Sequence, residues 1–134
     1  MNPAFRSFFA RDRFAAHNNI ELLDAGPGWA TAQMTAGDDH LNAAEVVHGA
    51  ALFTLADLVF AVASNSHGQL ALGINVSISY LKAARAGVLI AEAKEVSCNS
   101  KLATYTMEVR DPAGDLGALA QGTVFRKDTP LPEP

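Results

Sequence analysis

The chain has 134 residues, enough for one domain built around a single hydrophobic core. Apolar residues make up 49% and charged residues 18%, a balance that excludes an intrinsically disordered chain. The net charge is −4, the pI is about 5.4, and only ten lysines and arginines are scattered along the sequence, which argues against nucleic acid as a partner.

Cys98 is the one cysteine, so an internal disulfide, a CxxC pair and a zinc site built from cysteines are excluded. A reducing, cytoplasmic compartment is the expectation. The opening Met1-Asn2-Pro3-Ala4-Phe5-Arg6 lacks the basic segment and apolar run of a signal peptide. Val46–Ala63 approaches the length of a membrane span but contains His48, Thr54 and Asp57. A mid-span carboxylate is expensive in lipid, so this segment reads as a helix enclosed by protein, with no membrane partner.

In chain order, residues 4–17 carry Phe5, Phe8, Phe9 and Phe14 between charged residues, predicting a short amphipathic helix within an N-terminal segment 1–17. Residues 20–35 read as two strands broken by Gly26-Pro27-Gly28. Residues 36–47 are loop-like. After Gly49 there is neither Gly nor Pro as far as Ser66, which predicts a helix of about 18 residues and roughly 27 Å over Gly49–Ser66. It is apolar almost all round, so it must be enclosed. Four strands should follow. In Leu72–Leu81, Ile74, Val76, Ile78 and Tyr80 face one way and Asn75, Ser77 and Ser79 the other. Val88–Ser97 and Leu102–Val109 pair around Cys98–Lys101, and Leu116–Lys127 follows the turn Asp111-Pro112-Ala113-Gly114-Asp115. Residues 128–134 read as a flexible tail. This order predicts one α+β domain, 1–134, in which a curved antiparallel sheet wraps one long central helix. One sheet leaves a flank of that helix uncovered, which suggests a dimer.

Asp57 is the only charged side chain between Gly49 and Ser66, and a carboxylate in an apolar helix is normally paired, protonated or functional. His48-Gly49 opens the same helix. The first turn has unpaired N–H groups at the positive end of the dipole, and Gly49 has no side chain to block them. Such an amide can stabilise a carbonyl oxygen that becomes negative. Asp57 follows Gly49 by eight residues, about 12 Å along the axis, too far for both to touch one small reacting centre. A symmetric dimer could bring Gly49 of one chain beside Asp57 of the other.

The stretch from Asn42 through His48-Gly49 to Leu55-Ala56-Asp57 resembles the central motif of the hotdog-fold acyl-CoA thioesterases, in particular the PaaI-like branch associated with phenylacetic acid degradation. Asn75–Gly87, Ile90–Val96 and Ala120–Phe125 resemble later strands of that family, so the likeness covers roughly residues 15–127. It implies a hotdog fold and hydrolysis of an acyl-CoA thioester by a homodimer or homotetramer. By position, Asp57 matches the catalytic carboxylate, acting as general base or nucleophile, and Gly49 the amide that polarises the thioester carbonyl. Asn42 and His48 match residues that position water, thioester or helix start. Lys82, Arg85 and Asn99-Ser100-Lys101 fall where relatives contact CoA. No metal or cofactor is implied beyond the coenzyme A of the substrate.

Three positions depart from the family pattern. Glu45 stands where Gly is usual, Ala50 replaces the second Gly of His-Gly-Gly, and Gly73 occupies a strand position where some relatives use a catalytic Ser or Thr. Glu45 could complement the helix dipole or line the pocket near Asp57, where like-charge repulsion would raise one pKa. Ala50, Ala51 and Thr54 leave room for an aryl or medium aliphatic acyl group. A non-catalytic acyl-CoA binding module and a hotdog hydratase remain alternatives, although a pure binder gains nothing from the carboxylate. Asp38-Asp39-His40 lacks a fourth ligand at metal spacing, and Cys98 has no activating partner in the sequence.

Overall fold

The computed structural model describes residues 1–131. The segment before the sheet is two helices instead of one, α1 (Pro3–Phe9) and α2 (Arg13–His17). The break comes at Asp12, whose side chain accepts from Ala15 N at 2.9 Å and so starts a new helix. Arg6 fastens α1 to the sheet by donating to the carbonyls of Leu22 and Leu23, both at 3.1 Å.

The strands are β1 (Ile20–Gly26), β2 (Trp29–Ala36), β3 (Gln69–Tyr80), β4 (Gly87–Cys98), β5 (Leu102–Arg110) and β6 (Leu116–Pro130). They form one antiparallel sheet in the order β1-β2-β4-β5-β6-β3. Strand β6 runs three residues beyond the expected Lys127, because Gln69 of β3 pairs with Pro130. The expected tail therefore begins later, and residues 132–134 lie outside the described residues.

Helix α3 (Gly49–Asn65) lies across this sheet. The sheet face beneath it is built from small side chains, including Ala32, Ala91, Ala93, Ala103 and Ala118, each at most 2% exposed, so helix and sheet approach closely. Phe60, at 2% exposure, is the largest fully buried side chain on α3. Its ring sits over Gly73 and Gly122, where an added Cβ would meet it at 3.0 and 2.7 Å. Gly73, a departure from the family pattern, is thus a packing position. The Tyr105 ring meets Phe60 edge-on, with centroids 6.0 Å apart.

Not every side of α3 is enclosed. Ala50 and Asp57 are exposed and Phe53, Thr54 and Ala61 half-buried, marking one stripe that the single sheet leaves open. Asp57 is on that stripe and not in the core. Edge strand β3 is open as well. A register shift between Gly73 and Asn75 turns Ile74 outward, against the expected alternation, and it is 59% exposed. Val76 and Ile78 keep the inward face. Among the described residues no helix is long and apolar enough to cross a membrane.

Candidate active site

The loop before α3 is fixed by its own polar side chains. Asn42 Oδ1 accepts from Ala44 N at 2.9 Å and Val46 N at 3.3 Å, closing a tight turn. Glu45 takes a left-handed conformation there, φ 61°, which explains why Gly suits the position. Glu45 is exposed in this turn and, within one protomer, is not on the wall of the cleft beside Gly49. His48 N donates to His40 O at 2.7 Å, and Val47 N to Ala84 O at 2.8 Å. The chain then enters α3 with His48 as N-cap: its Nδ1 accepts from Ala50 N at 3.0 Å. That bond assigns the ring proton to Nε2. Asn42 and His48 thus position the helix start.

Gly49 is the first residue of α3, and its N–H has no acceptor among the described residues. A cleft of about 330 Å³ opens at this point. Asn42, Gly49, Leu52, Tyr80 and Lys82 are on its wall. A Cβ at Gly49 would lie 3.0 Å from the Tyr80 ring, so glycine lets the ring close over the helix end without shifting. Tyr80 had no functional reading in the sequence beyond its place in the β3 alternation.

Asp57 is not on this cleft. Eight residues of helix separate it from Gly49, about 12 Å. Partial desolvation raises its pKa from the ordinary Asp value, and the charge of Asp12 adds to the rise. The neighbouring carboxylate is therefore Asp12, from the N-terminal segment, instead of Glu45. Thr54 sits one turn before Asp57 on the open stripe, but its Oγ1 donates to Ala50 O at 2.7 Å.

The expected CoA-binding residues fall into two groups. Lys82 and Arg85 are at the Gly49 end of the sheet, where Leu81 N donates to Gly117 O. Lys82 is already paired with Asp111, at 2.8 Å, and with Asp115, which lowers its value as a phosphate ligand. Arg85 is exposed and enters no ion pair among the described residues. Asn99, Ser100 and Lys101 form the β4–β5 turn at the far end of β4, roughly 36 Å of strand away. There Asn99 Oδ1 accepts from Lys101 N and Leu102 N, organising the turn. One protomer does not bring the two groups together.

A helix N-terminus with an open amide, on an antiparallel sheet wrapped around that helix, is the arrangement of a known family. Residues 44–118, more than half the chain, match the thioesterase superfamily. The chain belongs to the thioesterase superfamily. It is 50% identical over 125 residues to an Archaeoglobus fulgidus protein bearing a provisional esterase name, covering 92% of this chain and 81% of the relative. The solved E. coli PaaI protein from the phenylacetic acid degradation operon superposes with TM-score 0.92 at 28% identity, covering 96% of this chain and 94% of that one. A mutant of the phenylacetic acid degradation protein PaaI of Thermus thermophilus gives TM-score 0.83 at 37% identity, covering 87% and 100%. The protein is thus a PaaI-like thioester hydrolase with the hotdog fold.

Proposed function

We propose that this thioesterase hydrolyses aryl- or medium-chain acyl-CoA to the free acid and coenzyme A, at a site completed between two copies of the chain. The acyl-CoA substrate class rests on likeness to the E. coli protein named acyl-coenzyme A thioesterase PaaI, 29% identical over 121 residues. One observation carries the two-subunit site. The Gly49 amide opens on a cleft, and Asp57 is about 12 Å away on the uncovered stripe of the same helix. In this reading a second copy packs on that stripe with its Gly49 beside this Asp57, and two-fold symmetry makes the contact reciprocal. The exposed β3 edge, with Leu72 and Ile74 turned outward, supports a homodimer, or a homotetramer built from it.

In this reading the thioester oxygen accepts from Gly49 N–H at the positive end of α3. Asp57 removes a proton from the attacking water, or attacks the carbonyl carbon itself. On the water path the tetrahedral species expels the CoA sulfur, which takes the proton that Asp57 removed from water; on the nucleophilic path the sulfur leaves, takes its proton from solvent, and water then hydrolyses the acyl-Asp57 anhydride to free acid and carboxylate. Desolvation makes Asp57 a stronger base than an exposed carboxylate, and such bases contribute about 10²–10⁴-fold. Neither a metal nor a cofactor is needed, because the thioester is already activated. Arg85 is the available cation for CoA phosphates near the cleft, and Asn99, Ser100 and Lys101 reach CoA only from another subunit. The lone cysteine fits a cytoplasmic location.

The test is release of free thiol from phenylacetyl-, benzoyl-, hexanoyl- and palmitoyl-CoA. Wild type should turn over at least one, and Asp57→Asn should not. Mixing inactive Asp57→Asn with inactive Gly49→Pro subunits should restore activity, because half of one interface then carries both intact groups. Mixed oligomers that stay inactive exclude the shared site.

A further inference from the structure

The end of α3 remote from Gly49 carries a second constellation, with no part in the thioester chemistry. His67 lies in the turn after the helix, Glu95 on β4 and Cys98 at the end of β4. In a regular strand, residues three apart face opposite sides. Here β4 bulges between Glu95 and Ser97, leaving Val96 outside the register, and the extra residue brings Glu95 and Cys98 to one face. His67 Nε2, a Glu95 carboxylate oxygen and Cys98 Sγ lie within 4.8 Å of one another. His67 Nε2 is 2.8 Å from Glu95 Oε1, and Tyr105 Oη donates to the same oxygen at 2.7 Å.

We infer that His67, Glu95 and Cys98 form a binding site for one zinc-class divalent cation that staples the end of α3 to β4. The donor set of imidazole, carboxylate and thiolate suits a borderline-soft ion. Tetrahedral zinc holds such donors about 3.3–3.7 Å apart, so the widest separation has to close by about an ångström while the His67–Glu95 pair opens by about half an ångström, both within reach of side-chain motion. The fourth position faces solvent, since His67 and Cys98 are exposed.

The surroundings suit a bound thiolate. Desolvation and the Glu95 charge push the Cys98 thiol up, and the Arg126 guanidinium acts in the other direction, toward the ionised form. It is held by Asn99 O and by Gln69 Oε1, both at 2.7 Å, while its Nε is buried with no hydrogen-bond partner among the described residues. A thiolate is an acceptor for such an N–H, whereas a protonated thiol is a poor one. Tyr105 orients Glu95 as an outer-shell donor. On binding, the cation takes the sulfur lone pair and the thiol proton leaves to solvent.

Cobalt(II) is the probe, because Cys98 is the one cysteine and any sulfur-to-cobalt charge-transfer band reports on it alone. Metal-free protein titrated with cobalt(II) should develop that band at one equivalent, zinc(II) should bleach it, and zinc should raise Tm. Asp57→Asn should behave as wild type, because the site is independent of the thioester reaction. His67→Gln and Glu95→Gln should each weaken cobalt binding about tenfold or more. No band in wild type, or a band of wild-type affinity in His67→Gln, overturns the assignment. His67 is exposed, so this variant tests the site even if Glu95→Gln does not fold.

Discussion

Asp57 and Glu95 are both carboxylates that burial pushes toward the neutral form, yet they end on opposite sides of the ordinary range. For Glu95, desolvation is overcome by hydrogen bonds from Tyr105 and His67, and its pKa falls. Asp57 has no donor that offsets its desolvation, and the charge of Asp12 lifts it further. One group is satisfied and held in place; the other is left basic. Local partners thus decide which of two half-shielded carboxylates is a structural anchor and which is available to take a proton.

The largest effect should come from breaking Asp57. Asp57→Asn should lower kcat/KM by about 10²–10⁴-fold. Its stability should move the other way. The raised pKa means that the folded state binds the proton more tightly, so ionising Asp57 weakens the fold as pH rises through the folded pKa. The variant should therefore have a higher Tm than wild type at neutral pH, and the gap should close under acid conditions, below the ordinary Asp range. Thermal melts across pH check this. A variant less stable at neutral pH would mean that Asp57 is a satisfied structural carboxylate like Glu95. In wild type, the acid limb of kcat/KM should lie above the ordinary Asp value, and Asp12→Asn should move it down.

Next is the Gly49 amide. Gly49→Pro deletes the N–H at the first helical position, where proline is tolerated, and His48 already has the extended backbone, ψ 139°, that precedes a proline. The half-exposed Tyr80 ring has only to move aside. Turnover should drop about 10²–10³-fold while circular dichroism stays unchanged. A loss confined to KM would assign the amide to ground-state binding.

The core between the two sites should respond in stability alone. Gly122→Ala drives a methyl group to within 2.7 Å of Phe60 and should cost about 1–3 kcal/mol in chemical denaturation. Rate per folded molecule should be nearly unchanged.

Much of this was legible in the sequence for local reasons. The Gly- and Pro-free run after Gly49 marks α3, and Gly26-Pro27-Gly28 and Asp111–Asp115 mark hairpins through turn chemistry that acts over four or five residues. The His48-Gly49 helix start and the position of Asp57 on α3 were legible because helix geometry is fixed, and the proposed site is built on them. What stayed hidden depends on distant partners. Lys82 reads as a free cation until Asp111 and Asp115 are seen beside it. Asp57 reads as buried because an apolar helix does not reveal how narrow a cover one sheet provides. The bulge at Val96 reverses strand parity, so no alternation rule groups Glu95 with Cys98.

The smallest expected effect concerns Glu45, at the start of the loop that delivers His48 and Gly49. A residue with a Cβ at φ 61° carries left-handed strain of about 1 kcal/mol. Glu45→Gly removes that strain but enlarges the unfolded ensemble, and the two effects partly cancel. The net gain should be below about 1 kcal/mol, with turnover near wild type, because Glu45 is exposed and off the cleft wall. Glu45→Ala keeps the Cβ and should show no such gain. If instead Glu45→Gly and Glu45→Ala slow turnover equally, the carboxylate itself acts on the site, through the field at the N-terminus of α3 and not through the shape of the turn.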